Sequence, residues 1–207
     1  MRALRSKTAT LLLHSVLAAG CGSDGSEPTP RVLTTVEVTP ATATLFSAAP
    51  GNTLQVTVVA KDQDGATMDD VGPISFSSTD EAVATVAPDG TVSAAGVGTA
   101  QITASLTVDA VTLSDAVMVT VEDAPESASV TAPQFAYQPE TVDVSAGGAV
   151  TWTFGELPHT VTFISQGAPP SITGLQDGSA SRTFPTPGVF EYRCEFHSGM
   201  AGTVRVH

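Results

Sequence analysis

The run Cys194-Glu-Phe-His197-Ser-Gly-Met200 places a thiol, an imidazole and a thioether in one short stretch at two-residue gaps. A second imidazole, His159, follows Pro158 earlier in the chain. Taken singly, each has a plainer role: a structural histidine, a small buried hydrophobe, a core filler. Together they make the donor set of a type 1 copper centre, two His and one Cys with a weak axial Met. Soft sulfur suits Cu(I), and imidazole suits both oxidation states. Neither valence is strongly preferred at such a site, so an electron can come and go with little rearrangement if the surrounding elements are rigid.

The elements that must supply this rigidity are strands. Outside the first twenty residues no apolar stretch has helical spacing, whereas Val and Thr recur in short runs broken by Gly, Pro and Asp-Gly. In the last third of the chain the strand candidates are 141–144, 149–154, 160–164, 181–184, 189–194 and 202–206. Phe190, Tyr192 and Cys194 share one parity, so the strand that buries two aromatics delivers the thiol inward at its end. The chain reads as all-β.

Val150-Thr-Trp-Thr, Pro158-His-Thr-Val161 and the run from Phe190 through Cys194, His197 and Met200 to Val204 resemble the plastocyanin, amicyanin and pseudoazurin family. The Cys-x-x-His-x-x-Met spacing is similar to that of amicyanin. The resemblance spans about residues 134–207. It implies a cupredoxin Greek-key β-sandwich holding one type 1 Cu ion, with His159, Cys194, His197 and Met200 as ligands, and a role in single-electron transfer rather than catalysis. The family's Asn that bonds near the cysteine sulfur is expected on the strand before the first histidine. That region reads Thr153-Phe154-Gly155-Glu156, and the Thr153 hydroxyl is the available substitute. Phe154, Leu157, Pro158 and Phe196 are expected to form the apolar patch through which His197 meets a redox partner.

Residues 33–122 show short alternating strands around Leu54–Ala60, Ala100–Leu106 and Val117–Val121, with turns at Lys61-Asp-Gln-Asp-Gly65 and Pro88-Asp-Gly90. Val36-Glu-Val-Thr-Pro40, Phe76-Ser-Ser-Thr-Asp80, Val83-Ala-Thr-Val86, Asp89-Gly-Thr-Val92 and Gly96-Val-Gly-Thr-Ala100 resemble the group 2 bacterial immunoglobulin-like domain. The resemblance implies an immunoglobulin-like β-sandwich serving as a surface spacer or adhesive module. This segment has no His and no Cys, and no chemistry is assigned to it. Residues 123–133, rich in acids, Pro and Ser, read as a linker to the second domain, 134–207.

Arg2, Arg5 and Lys7 precede an apolar run, 11–19, too short to span a bilayer, so residues 1–20 read as an export signal. Leu17-Ala-Ala-Gly-Cys21 resembles the lipobox of bacterial lipoproteins, which implies lipidation of Cys21. Lipid would anchor the protein to a membrane at the cell envelope, facing periplasm or exterior, through a tether over 21–32. Cleavage leaves five Lys and Arg against 21 acids, a net charge of −16. Nucleic acid is thereby a poor partner and a basic redox protein a suitable one. A monomer is expected. Cleavage also leaves Cys194 without a disulfide partner in an exported chain, as a metal ligand would be. A three-copper oxidase cluster needs more histidines than His159, His197 and His207. The alternative is a copper-binding or cell-surface scaffold or adhesion protein with no redox-carrier role.

Overall fold

Alternation of Val, Ile, Leu and Ala with Thr, Ser and Asp gives strands with one buried face, and the computed structural model realises them in order. It describes residues 30–69 and 71–207. The export signal, Cys21 and the tether up to residue 29 lie outside the described residues. The first half holds β1 (Leu33–Thr39), β2 (Thr42–Phe46), β3 (Thr53–Gln55), β4 (Thr57–Asp62), β5 (Ser75–Ser78), β6 (Ala84–Val86), β7 (Thr91–Ala94), β8 (Gly98–Val108) and β9 (Val111–Glu122). The order β2-β9-β8-β5 makes one sheet, β3-β7-β6 a second, and β1 pairs with β4. Ala100, Ile102 and Ala104 of β8 and Val117, Val119 and Val121 of β9 are all buried, packing with Leu45, Val56 and Val92. The single strand expected from Leu54 to Ala60 is broken in two. β3 pairs with β7 and β4 with β1, and between them Val56 donates its N–H to Gly90 O as the chain changes sheets.

The last residues of the expected tether are not free. Arg31 Nε lies 2.7 Å from Asp62 Oδ2, the same guanidinium donates to Ala66 O and Thr67 O, and Val32 N donates to Gln63 Oε1. Asp62 also accepts from the N–H groups of Asp64 and Ala66, so its carboxylate organises the turn that follows β4. The Arg31 bond is the largest of the causes that hold the Asp62 carboxyl below its usual range.

The β8–β9 hairpin turns at Asp109 (φ 48°) and Ala110 (φ 68°), with Val108 paired to Val111. Two successive positive φ values make this the type of tight hairpin turn that matches strand twist and that Asn-Gly or Asp-Gly serves best. Ala110 carries a Cβ where glycine is preferred. Ala110→Gly is expected to stabilise the protein by about 0.5–1 kcal/mol, relief of left-handed strain outweighing glycine's entropy cost. The test is a higher denaturant midpoint at unchanged slope.

The second half contains β10 (Ser127–Ala132), β11 (Thr141–Val144), β12 (Ala149–Phe154), β13 (His159–Phe163), β14 (Ile172–Leu175), β15 (Gly178–Thr183), β16 (Gly188–Arg193) and β17 (Ala201–Val206). Sheet β10-β12-β15 faces sheet β11-β17-β16-β13-β14 across a separate core centred on Trp152, Phe184 and Tyr192. The stretch expected as a linker, 123–133, is therefore largely a strand. β10 runs parallel to β12 from Ser127↔Ala149 to Ala132↔Phe154, burying Val130 and Ala132. Its small and hydroxylated residues hide the alternation. In β17, Gly202 lies opposite Tyr192, and a Cβ there would come within 2.5 Å of the phenol ring, so only glycine leaves room for it.

At the end of β17, His207 joins the two halves. Its Nε2 lies 2.8 Å from Asp143 Oδ1 and its Nδ1 3.3 Å from Ala48 O, and its ring packs against Phe46 at 4.0 Å between centroids.

Candidate metal centre

β13 begins at His159 and β16 ends one residue before Cys194, so two neighbouring strands of one sheet bring imidazole and thiol to the same end. The chain then closes a short loop. Cys194 N donates to Met200 O at 3.0 Å, Met200 N to His197 O at 3.3 Å, and Gly199 takes φ 80° within the turn. His159, Cys194 and Met200 are buried, and His197 is half-buried.

Cys194 Sγ stands 3.8 Å from His159 Nδ1 and 3.5 Å from His197 Nδ1, and the two nitrogens are 3.2 Å apart. A point about 2.0 Å from all three atoms lies inside this triangle, close to the 2.0–2.3 Å at which imidazole nitrogen and thiolate sulfur bind an ion such as zinc. The donors thus converge on a cavity of metal size. Burial, and next the nearby His197, lower the His159 pKa, favouring the neutral imidazole that a metal requires. Phe154 lies near-parallel to the His159 ring, 6.1 Å away between centroids.

Around the sulfur, the bonding partner is Thr160 and not Thr153. Thr153 is exposed on β12, paired between Thr131 and Ser179. Thr160 N donates toward Cys194 Sγ at 3.5 Å, and Thr160 Oγ1 accepts from Glu195 N at 2.9 Å. Tyr137, buried in the 133–140 segment, donates its hydroxyl to Thr160 O. Burial and then the Cys194 charge push the Tyr137 phenol well up, so it stays a donor, and burial pushes neighbouring Tyr192 up to about 12. Sequence reasoning missed both Thr160 and Tyr137. Thr160 acts on the sulfur through a backbone N–H that every residue but proline possesses.

Of the four residues expected to form an apolar patch, Phe154 is not at the surface. Phe154 is 3% exposed and belongs to the core beside His159. Pro158 is exposed and Leu157 half-buried, while Phe196 is 55% exposed over Gly174. Phe135, 65% exposed, stands edge-on to His197 at 5.1 Å and was not anticipated. It sits in an irregular segment where no periodicity marks it.

Residues 125–207 match the family of copper binding proteins described as plastocyanin/azurin. Amicyanin-alpha of Methylorubrum extorquens is 37% identical over 92 residues, covering 42% of this chain and 77% of that protein. Among solved structures, a mutant plastocyanin of fern is 31% identical over 39% of this chain and 100% of its own, with a TM-score of 0.35. A purple cupredoxin from Nitrosopumilus maritimus is 26% identical over 39% of this chain and 99% of its own, with a TM-score of 0.36. The chain carries a cupredoxin domain and belongs to the plastocyanin/azurin family of copper binding proteins. Copper is its cofactor, one ion per domain.

Proposed function

We propose that this protein is a type 1 copper carrier of single electrons at the cell envelope, with His159, Cys194 and His197 holding the ion and Met200 as the weak axial ligand. The observation that carries this reading is the triangle of Cys194 Sγ and the two imidazole Nδ1 atoms, sized for one metal ion. Copper supplies a one-electron couple when bound. The protein holds the donors on two paired strands and a hydrogen-bonded loop, a support that requires little rearrangement between the two valences. His197, the half-buried donor, opens the route to a partner. Phe135, edge-on to His197, together with Leu157, Pro158 and Phe196 supplies an apolar face suited to brief redox encounters.

In the same reading residues 1–20 are an export signal, Cys21 bears lipid, and an immunoglobulin-like domain spaces the carrier from the membrane. The acidic surface favours a basic partner. Addition of Cu(II) to the purified protein is expected to give an intense blue band and narrow copper hyperfine splitting. Reduction is expected to bleach that band, and stopped-flow mixing of the reduced protein with a basic one-electron acceptor protein is expected to restore it. Colourless protein with loosely held copper would overturn the reading. The anchor is checked separately, by incorporation of labelled fatty acid that Cys21→Ala abolishes.

A further inference from the structure

We propose that Tyr137 is a positioning residue for the copper centre, its hydroxyl holding Thr160 so that the Thr160 N–H faces the Cys194 sulfur. The proposal rests on the copper reading above for its consequence and on hydrogen bonding for its geometry. Thr160 is fixed at three points: its carbonyl accepts from the Tyr137 hydroxyl, its Oγ1 accepts from Glu195 N at 2.9 Å, and its N–H donates toward Cys194 Sγ at 3.5 Å. The second ties residue 160 to the ligand loop just beyond the cysteine. The first ties it to a different segment, 133–140, which itself is fastened to β10 by reciprocal backbone bonds between Thr131 and Gln138.

The Tyr137 ring packs edge-on against Tyr192 at 4.8 Å, and its ring position does not depend on the hydroxyl. Removing that oxygen leaves the Thr160 carbonyl buried without its donor, and residue 160 shifts to recover a partner. The N–H···S contact, at 3.5 Å an ordinary length for a sulfur acceptor, is the bond that this shift disturbs. An N–H donor draws electron density from a thiolate, and a thiolate that keeps more density favours Cu(II) over Cu(I). Loss of the Tyr137 hydroxyl therefore lowers the reduction potential.

The test is Tyr137→Phe in the full protein loaded with Cu(II), with Tyr192→Phe as the control for loss of a buried phenol in the same cluster. Tyr137→Phe is expected to shift the Cu(II)/Cu(I) equilibrium toward Cu(II) by about 3- to 10-fold, tenfold being ~59 mV for one electron. The Thr160 amide proton in the Cu(I) protein is expected to move upfield, and Tyr192→Phe to change neither. If Tyr137→Phe lowers only the melting temperature, leaving potential and amide in place, Tyr137 is structural and the proposal fails. The chain has two tyrosines, so 3-fluorotyrosine in the Tyr192→Phe background labels Tyr137 alone. A stronger donor there is expected to raise the potential, and an unchanged potential would again overturn the proposal. Should the wild type form no type 1 centre, the carrier reading falls. The Thr160 amide of the copper-free protein then decides whether Tyr137 holds residue 160.

Discussion

Cys194→Ser is expected to abolish the visible absorption of the copper-loaded protein and to cut copper affinity on the order of 100-fold or more. Thiolate, not thiol, is the metal ligand and the source of the charge-transfer band. A serine hydroxyl supplies neither the anion nor the polarizable sulfur, and the remaining imidazoles are an ordinary nitrogen pair. Loss of a partner that merely supports a ligand costs about 10–100-fold in metal affinity, so loss of the ligand itself costs at least as much. The size change is small, and the backbone bond from residue 194 to Met200 O persists, so the loop stays closed. The measurements are the absorption and paramagnetic resonance spectra with a competitive copper titration. A variant that stays blue would show that the sulfur at position 194 is not the donor.

Trp152→Ala carries the largest expected stability effect. Trp152 is fully buried, with edge contacts to Phe163 at 5.9 Å and Tyr192 at 5.4 Å and a tilted one to Phe184 at 6.5 Å. Truncation removes the centre of the core and leaves a cavity that two paired sheets cannot collapse, costing about 3–5 kcal/mol. For a domain of this size that corresponds to a fall on the order of 20 °C in melting temperature. The core around Trp152 and the core around Ile102 and Val119 are separate clusters. Calorimetry is therefore expected to show the transition of the copper domain moving down while that of the first sandwich stays. Equal movement of both would mean that the halves unfold as one cooperative unit.

Much of this was readable from residue order, for reasons that also explain the misses. Cys194, His197 and Met200 fall within one loop, so sequence spacing there approximates spatial spacing. The strand that carries the thiol shows its buried face through Phe190 and Tyr192. The burial of Phe154 is legible from Trp152, two residues earlier on the same strand, which has the same parity and marks that side as inward. The 127–132 strand escaped because Ser-Ala-Ser-Val-Thr-Ala offers one branched aliphatic residue, and its pairing partner β12 lies about twenty residues away. Val56 continues an alternating pattern, but alternation cannot tell one sheet from two. Thr160, Tyr137 and Phe135 reach the site by a main-chain N–H, a long-range hydroxyl bond and an irregular segment, none of which leaves a local signature.

The position of His207 has an electrostatic consequence. β17 starts beside Met200 and ends beside His207, and six residues at ~3.3 Å each separate the ligand loop from the junction by roughly 20 Å. That is about two Debye lengths in 0.1 M salt. Eleven of the 19 acids of residues 31–207 fall in residues 31–122, and the solvent-exposed ones that lie a Debye length or more beyond the junction are largely screened from the ligand loop. Charge on the first sandwich can thus be altered to change how the molecule attracts a partner at long range while the electron affinity of the copper centre stays as its own neighbours set it.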